Sequence, residues 1–107
     1  MEKHLYDKYI EIEKDHWWFI GRRKIIANLF VEYGIKPESA KILDFGCNHG
    51  FFAGILQKQD FDVFGIDISE EAISIGRESG VKNLKTVKKN LSDFPTEKFN
   101  VILCLDV

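Results

Sequence analysis

The sequence has little of what marks a secreted, membrane-spanning or disulfide-rich protein. Its 107 residues include two prolines and two cysteines, and the cysteines, Cys47 and Cys104, lack the spacing of a metal site or a disulfide framework. No apolar run approaches the ~18 residues of a membrane-spanning helix. The charged N-terminal stretch is not followed by the apolar segment of a secretory signal. These absences predict a reduced, cytoplasmic protein.

An excess of one charge is also lacking. The chain has 15 basic and 17 acidic residues, a formal net charge of −2, and both signs are spread along its length. Because no basic face is indicated, nucleic acid and anionic membranes are not expected as partners. The hydrophobic content of 45% is that of a globular domain with a single core.

Two kinds of pattern divide the chain near residue 40. In the first part, apolar residues recur at helical spacing, and Gly34 supplies a C-terminal stop. The recurring positions are Ile25, Ile26, Leu29, Phe30 and Tyr33. We therefore predict an N-terminal helical segment over residues 1–40, which is also a candidate lid, and a second part over residues 41–107.

The second part alternates short apolar runs with helical stretches. Its four predicted strands are KILDF, FDVFGID, NLKTVKKN and FNVILCLDV, with helices predicted at GFFAGILQKQ and SEEAISIGRES. Strands that alternate with helices form βαβ units, which imply a parallel sheet with right-handed crossovers. The predicted fold class is therefore α/β, a doubly wound Rossmann-like parallel sheet that stops after its fourth strand.

The stretch ILDFGCNHG joins the first strand to its helix, at the carboxyl edge where such sheets bind ligands. Gly46 and Gly50 permit a tight turn close to a ligand, and Asn48 tolerates a left-handed backbone better than other non-glycine residues. Asp44 and Asp67 end neighbouring strands, so their carboxylates are expected to face one crevice. An acid at the position of Asp67 can accept both hydroxyls of a ribose. Together these residues predict a nucleoside-containing ligand.

Other interpretations of these residues stay open. Taken alone, Asp67 can be an aspartate at the start of a helix, and the glycines can be ordinary turn residues. A dinucleotide fingerprint needs glycines where Asn48 and Phe51 stand, because a pyrophosphate must approach the backbone and the helix must pack closely. An NAD-dependent oxidoreductase is thus disfavoured but remains an alternative. A non-catalytic nucleoside-binding domain is a second alternative.

Three motifs carry a resemblance to a known family. ILDFGCNHG, VFGIDISEEAISIGRE and NLSDFPTEKFNVILCLDV, in this order, resemble the class I S-adenosylmethionine-dependent methyltransferases from about Lys41 to the last residue. The resemblance implies S-adenosyl-L-methionine as cofactor and direct methyl transfer, without a protein nucleophile, to an acceptor that we expect to be a small molecule. It also implies that the chain is the cofactor-binding portion of a longer enzyme, inactive alone and open to self-association through its last strand.

The resemblance assigns cofactor-binding roles to ten positions. Asp44 is expected to hold the methionyl amino group, Asp67 the ribose hydroxyls, and Ile68 the face of the adenine. The other positions are the turn residues Gly46, Cys47, Asn48 and Gly50, then Asn90 and Leu91 beside the adenine amino group, and Leu105 near the methyl donor. Asn48 and Asn90 stand where the family usually has a glycine and an acid.

The segment HWWFIGRR, residues 16–23, resembles a stretch that precedes the first strand in one group of small methyltransferases. Its aromatic residues are expected either to pack a helix onto the sheet or to exclude water as part of a lid. In the second case Arg22 or Arg23 would meet an anionic group.

No catalytic residue is predicted. His16 and His49 are candidates for a base, but a loop histidine without a catalytic role is the simpler interpretation. Cys47 and Cys104 are interpreted as small buried apolar groups rather than nucleophiles.

Overall fold

The computed structural model describes residues 17–88 and 98–105. The chain divides into two compact units, residues 1–36 and 37–107. The first contains helix α1 (Trp17–Glu32). The second contains, in order, β1 (Lys41–Phe45), α2 (Phe51–Lys58), β2 (Asp62–Asp67), α3 (Glu70–Glu78), β3 (Leu84–Thr86) and β4 (Val101–Leu103). None of the helices in these described ranges is long and apolar enough to cross a membrane.

Helix α1 ends where the sequence predicts. Gly34 takes the left-handed backbone, with φ of 66°. The Ile35 N–H donates to the Phe30 carbonyl at 2.8 Å, and the Gly34 N–H donates to the Val31 carbonyl at 3.2 Å. This pair of bonds is a Schellman motif, which satisfies carbonyls that the end of a helix would otherwise leave unpaired.

The apolar residues that recur at helical spacing in α1 are only partly buried. Ile26 and Phe30 are buried, as expected from their spacing. Three other apolar residues of the same pattern are exposed: Ile25, Leu29 and Tyr33. Helical spacing therefore identified the helix, but the width of its buried face depends on what packs against it, which spacing does not encode.

The four strands form one parallel sheet in the order β3-β2-β1-β4. Leu43 of β1 is paired with Phe64 of β2 on one side and with Ile102 of β4 on the other. The chain moves outward from β1 through β2 to β3, and β4 then lies on the opposite side of β1. The predicted doubly wound Rossmann-like fold is thus confirmed, and the strand order reverses between β1 and β4, the kind of position where such sheets bind ligands.

Two clusters of buried apolar residues form the core around the sheet. One contains Leu43, Ile66 and Val87, with the aromatic pair Phe64 and Phe99 packed edge to face at 5.7 Å between ring centroids. The other contains Cys47, Ile73 and Leu84, with Val81 packed against it. Because Cys47 belongs to the turn after β1, the second cluster fixes that turn to α3 and β3.

Candidate functional site

The turn between β1 and α2 has an alternating left-handed backbone. Gly46, Asn48 and Gly50 have φ angles of 75°, 56° and 76°, so the predicted tight turn is confirmed. The N–H groups of Gly46 and Cys47 both donate to the Ile66 carbonyl at 2.9 Å. The turn is therefore an extension of the β1–β2 pairing and is held rigidly at the carboxyl edge of the sheet.

Asp67 joins this turn to the beginning of α3. Its Oδ2 atom accepts the Asn48 N–H at 2.8 Å, and its Oδ1 atom accepts the Ser69 N–H at 2.9 Å. A carboxylate oxygen has about two acceptor sites, so each oxygen retains one for a ligand. The geometry is thus compatible with both predicted roles, the helix-start aspartate and the acceptor of ribose hydroxyls.

The second acid of the site lies on β1. Asp44 is buried and is aligned with Gly65 of β2, so Asp67 lies two residues further along the neighbouring strand. Since side chains alternate between the faces of a strand, a two-residue offset keeps both carboxylates on the same side. The two predicted acids therefore lie on one side of neighbouring strands, at the carboxyl edge of the sheet.

The electrostatics of Cys47 support this arrangement. Burial raises the pKa of the Cys47 thiol, and the negative charges of Asp44 and Asp67 raise that pKa further. The thiol donates to the Asn48 carbonyl with a sulfur–oxygen distance of 3.5 Å. A thiol held protonated is a poor nucleophile, as the sequence interpretation expects. Cys104 differs from that interpretation, because its side chain is exposed.

The remaining predicted positions follow β2, follow β4 or lie outside the described residues. Ile68 directly follows Asp67, and its side chain is 80% exposed. Leu105 follows β4 and is half-buried. Asn90 and Leu91 lie outside the described residues, as do His16 and the side chains of residues 17–19. His49 is buried, with its ring centroid 6.2 Å from that of Phe51.

Two glycines that are not among the predicted site residues determine how closely β2 and α3 approach the turn. A Cβ atom on Gly76 of α3 would lie 2.4 Å from the His49 carbonyl oxygen, and one on Gly65 would lie 2.8 Å from the Cys47 sulfur. Both contacts are shorter than real Cβ atoms make. Isolated glycines within a helix and a strand are the signal that identifies such positions, and the sequence interpretation did not use it.

Comparison with known proteins agrees with this geometry. A family profile described as "Methyltransferase domain" matches residues 15–107, which is more than half of the chain. The chain belongs to this methyltransferase family. The predicted resemblance is thereby confirmed, and no finding favours the oxidoreductase alternative.

Individual methyltransferases share a modest part of their sequence with this chain. The ribosomal protein L11 methyltransferase of Paraburkholderia phytofirmans is 32% identical over 76 residues, which is 69% of this chain and 25% of that protein. The ubiquinone biosynthesis O-methyltransferase of Coxiella burnetii is 22% identical over 94% of this chain and 47% of its own length. This methyltransferase chain therefore spans half or less of the curated relatives that it matches.

A solved methyltransferase structure has the same fold. The magnesium protoporphyrin IX methyltransferase of Synechocystis, crystallised with bound SAH, aligns with a TM-score of 0.65 and 20% sequence identity. The alignment covers 98% of this chain and 54% of that protein. At this identity the comparison establishes the shared fold of the two methyltransferases.

Proposed function

We propose that the chain is the cofactor-binding portion of an S-adenosylmethionine-dependent methyltransferase that acts on a small-molecule acceptor. The observation that carries this proposal is the Asp67 carboxylate. Each of its oxygens accepts one backbone N–H at the turn and at α3, and each keeps an acceptor site directed to ligand or solvent. A ribose diol supplies the two hydroxyl donors that such a carboxylate requires.

The residues around Asp67 suit the rest of this cofactor. Ile68 offers an exposed apolar side chain next to the ribose acceptor, which suits the face of an adenine. Asp44 provides a negative charge for the methionyl amino group. The turn Gly46, Cys47, Asn48 and Gly50 brings backbone close to the ligand, because the two glycines have no side chain that would block the approach. Asn90, Leu91 and Leu105 complete the proposed set, with the roles that the resemblance implies.

The cofactor supplies an activated methyl group on a sulfonium, which a nucleophile on the acceptor can attack directly. The residues of this chain bind and orient, and none has to form a covalent intermediate. Such catalysis depends on alignment of the two reactants and on exclusion of water. A rigid turn, fixed to β2 by two hydrogen bonds to Ile66, serves alignment because it does not have to reorganise when the cofactor binds.

The names of relatives bear on the choice among acceptors. The names of two relatives include ubiquinone biosynthesis and magnesium protoporphyrin IX, whereas a third is a methyltransferase of ribosomal protein L11. We favour a small molecule over a protein because two of these three names indicate one. A reducing, cytoplasmic location is part of the proposal, since Cys47 and Cys104 are both free thiols. The role of residues 1–40 as a lid also stays a prediction.

Calorimetric titration of the chain tests this proposal. We expect S-adenosylhomocysteine to bind and NAD not to bind, because the site has two acids beside a turn that lacks two of the three pyrophosphate-binding glycines. A chain that binds NAD more tightly than S-adenosylhomocysteine would be an oxidoreductase-type domain. A chain that binds S-adenosylhomocysteine, but remains inactive when joined to the rest of a methyltransferase, would be the non-catalytic alternative.

A further inference from the structure

Position 48 has a side chain where the backbone favours glycine. The φ angle of Asn48 is 56°, a conformation that glycine adopts freely and that costs other residues roughly 1 kcal/mol. The neighbouring left-handed positions of the turn, Gly46 and Gly50, are glycines. Strain of this kind often accompanies a function of the side chain.

The backbone of Asn48 is fully used, whereas its side chain is not. Its N–H donates to Asp67 Oδ2 at 2.8 Å, and its carbonyl accepts the Cys47 thiol at 3.5 Å. Within residues 17–88 and 98–105, however, the Asn48 carboxamide makes no hydrogen bond, although the residue is half-buried. No described residue therefore uses the Asn48 carboxamide to stabilise the turn, and among these residues its donor and acceptor remain for a ligand.

The carboxamide lies next to the proposed ribose site. Its Cβ is two covalent bonds from the nitrogen that contacts Asp67 Oδ2, so Cβ lies within about 5 Å of that oxygen. When a ribose hydroxyl donates its hydrogen to Asp67, the lone pairs of the hydroxyl oxygen still require a donor. The Nδ2–H group of Asn48 is a donor within reach of that oxygen.

We propose that the Asn48 side chain is a specificity-determining residue that donates a hydrogen bond from Nδ2 to the cofactor's ribose hydroxyl held by Asp67. The inference rests on the proposed function, because it concerns the same ribose. Asp67 and Asn48 then form a matched pair, in which the carboxylate accepts from the diol and the carboxamide donates to it.

The substitution Asn48→Gly separates this role from a purely conformational one, because the two predict opposite changes. If residue 48 serves only the turn, glycine relieves strain, and S-adenosylhomocysteine should bind equally well or more tightly. If the carboxamide donates to the ribose, loss of one hydrogen bond should weaken binding about 3–10-fold, while thermal stability is retained or increased. Unchanged or tighter binding by Asn48→Gly overturns the proposal.

Two further measurements locate the hydrogen bond. Asn48→Asp keeps the size and the tolerance of left-handed backbone but has no donor, so we expect it to bind S-adenosylhomocysteine at least as weakly as Asn48→Gly. For 5′-methylthioadenosine, which has the ribose but no amino-acid part, the loss caused by Asn48→Gly should persist. If that loss disappears, the carboxamide meets the methionyl end, and the ribose assignment is wrong. Failure of the unsubstituted chain to bind S-adenosylhomocysteine would instead refute the proposed function itself.

Discussion

The close approach of α3 to the turn makes Gly76 a sensitive position. A Cβ atom added to Gly76 would lie 2.4 Å from the His49 carbonyl oxygen and 2.5 Å from a methyl group of Leu84. The first contact is more than half an ångström shorter than the 3.0 Å below which real Cβ atoms are essentially not found. Since that neighbour is backbone, it cannot rotate away as a side-chain tip can. The substitution Gly76→Ala must therefore displace either α3 or the turn.

Two opposing effects determine how much Gly76→Ala changes the free energy of unfolding. Alanine within a helix is favoured over glycine by about 1 kcal/mol. Overpacking of a close contact costs ~1–3 kcal/mol, and the rigid neighbour of Gly76 places this cost near the upper end. We expect Gly76→Ala to lower the free energy of unfolding by about 1–2 kcal/mol, which is roughly 4–16 °C in Tm for a domain of this size. Displacement of His49 should also weaken S-adenosylhomocysteine binding at temperatures where the variant is folded.

Gly21 provides a matched control for thermal denaturation and titration. It lies inside α1, and a Cβ added there meets no atom of the described residues within 4 Å. Gly21→Ala therefore gains the helix propensity of alanine without the close contact. We expect Gly21→Ala to leave Tm unchanged or higher and ligand binding unaltered. If Gly76→Ala is as stable as Gly21→Ala and binds S-adenosylhomocysteine normally, the tight packing of α3 against the turn is not a feature of the molecule.

Four further predictions concern Asp67, the two thiols and the edge of the sheet. Asp67→Ala removes charge-assisted hydrogen bonds of ~1.5–3 kcal/mol each. Titration of the folded variant should therefore give at least ~10-fold weaker S-adenosylhomocysteine binding. Unchanged affinity would mean that Asp67 has a structural role alone. A thiol reagent should label Cys104 rapidly and Cys47 only on unfolding, and equal rates would contradict the burial of Cys47. Because the pKa of Cys47 is raised in the folded state, the thiol contributes to stability below about pH 8.5, and this contribution falls as pH rises further. Urea unfolding should therefore show a smaller loss of unfolding free energy at alkaline pH for Cys47→Ala than for the unsubstituted chain. Ile102 is 60% exposed on β4, an edge of the described sheet, so light scattering should show self-association that Ile102→Lys reduces; a monodisperse unsubstituted chain would contradict this.

The sequence by itself determined the fold and the conformation of the turn after β1. Strands and helices alternate as predicted because the period of apolar residues is a local property. Ser69 caps α3, accepting the Ala72 N–H at 3.1 Å, and Gly34 ends α1, because caps require particular residue types at particular positions. The left-handed backbone of Asn48 is indicated by its residue type and its place between two glycines. Each of these features depends on a few neighbouring residues.

Strand length was less predictable. β3 and β4 are three residues each, whereas the predicted strands NLKTVKKN and FNVILCLDV are longer. The start of β4 is fixed by Asn100, whose side chain accepts the Lys41 N–H at 2.7 Å and donates to the Ser39 carbonyl at 2.8 Å. These partners are distant in sequence, so no local pattern indicates the contact.

The tertiary structure alone decided what surrounds each residue. The exposure of Cys104 and of one side of α1 depends on which elements cover them. The contact of Asp67 with Asn48 arises because β1 and β2 are paired in a particular register. The close approach at Gly76 arises because the crossover brings α3 back onto the turn. These properties depend on contacts between residues far apart in the chain, which form only when βαβ units pack together.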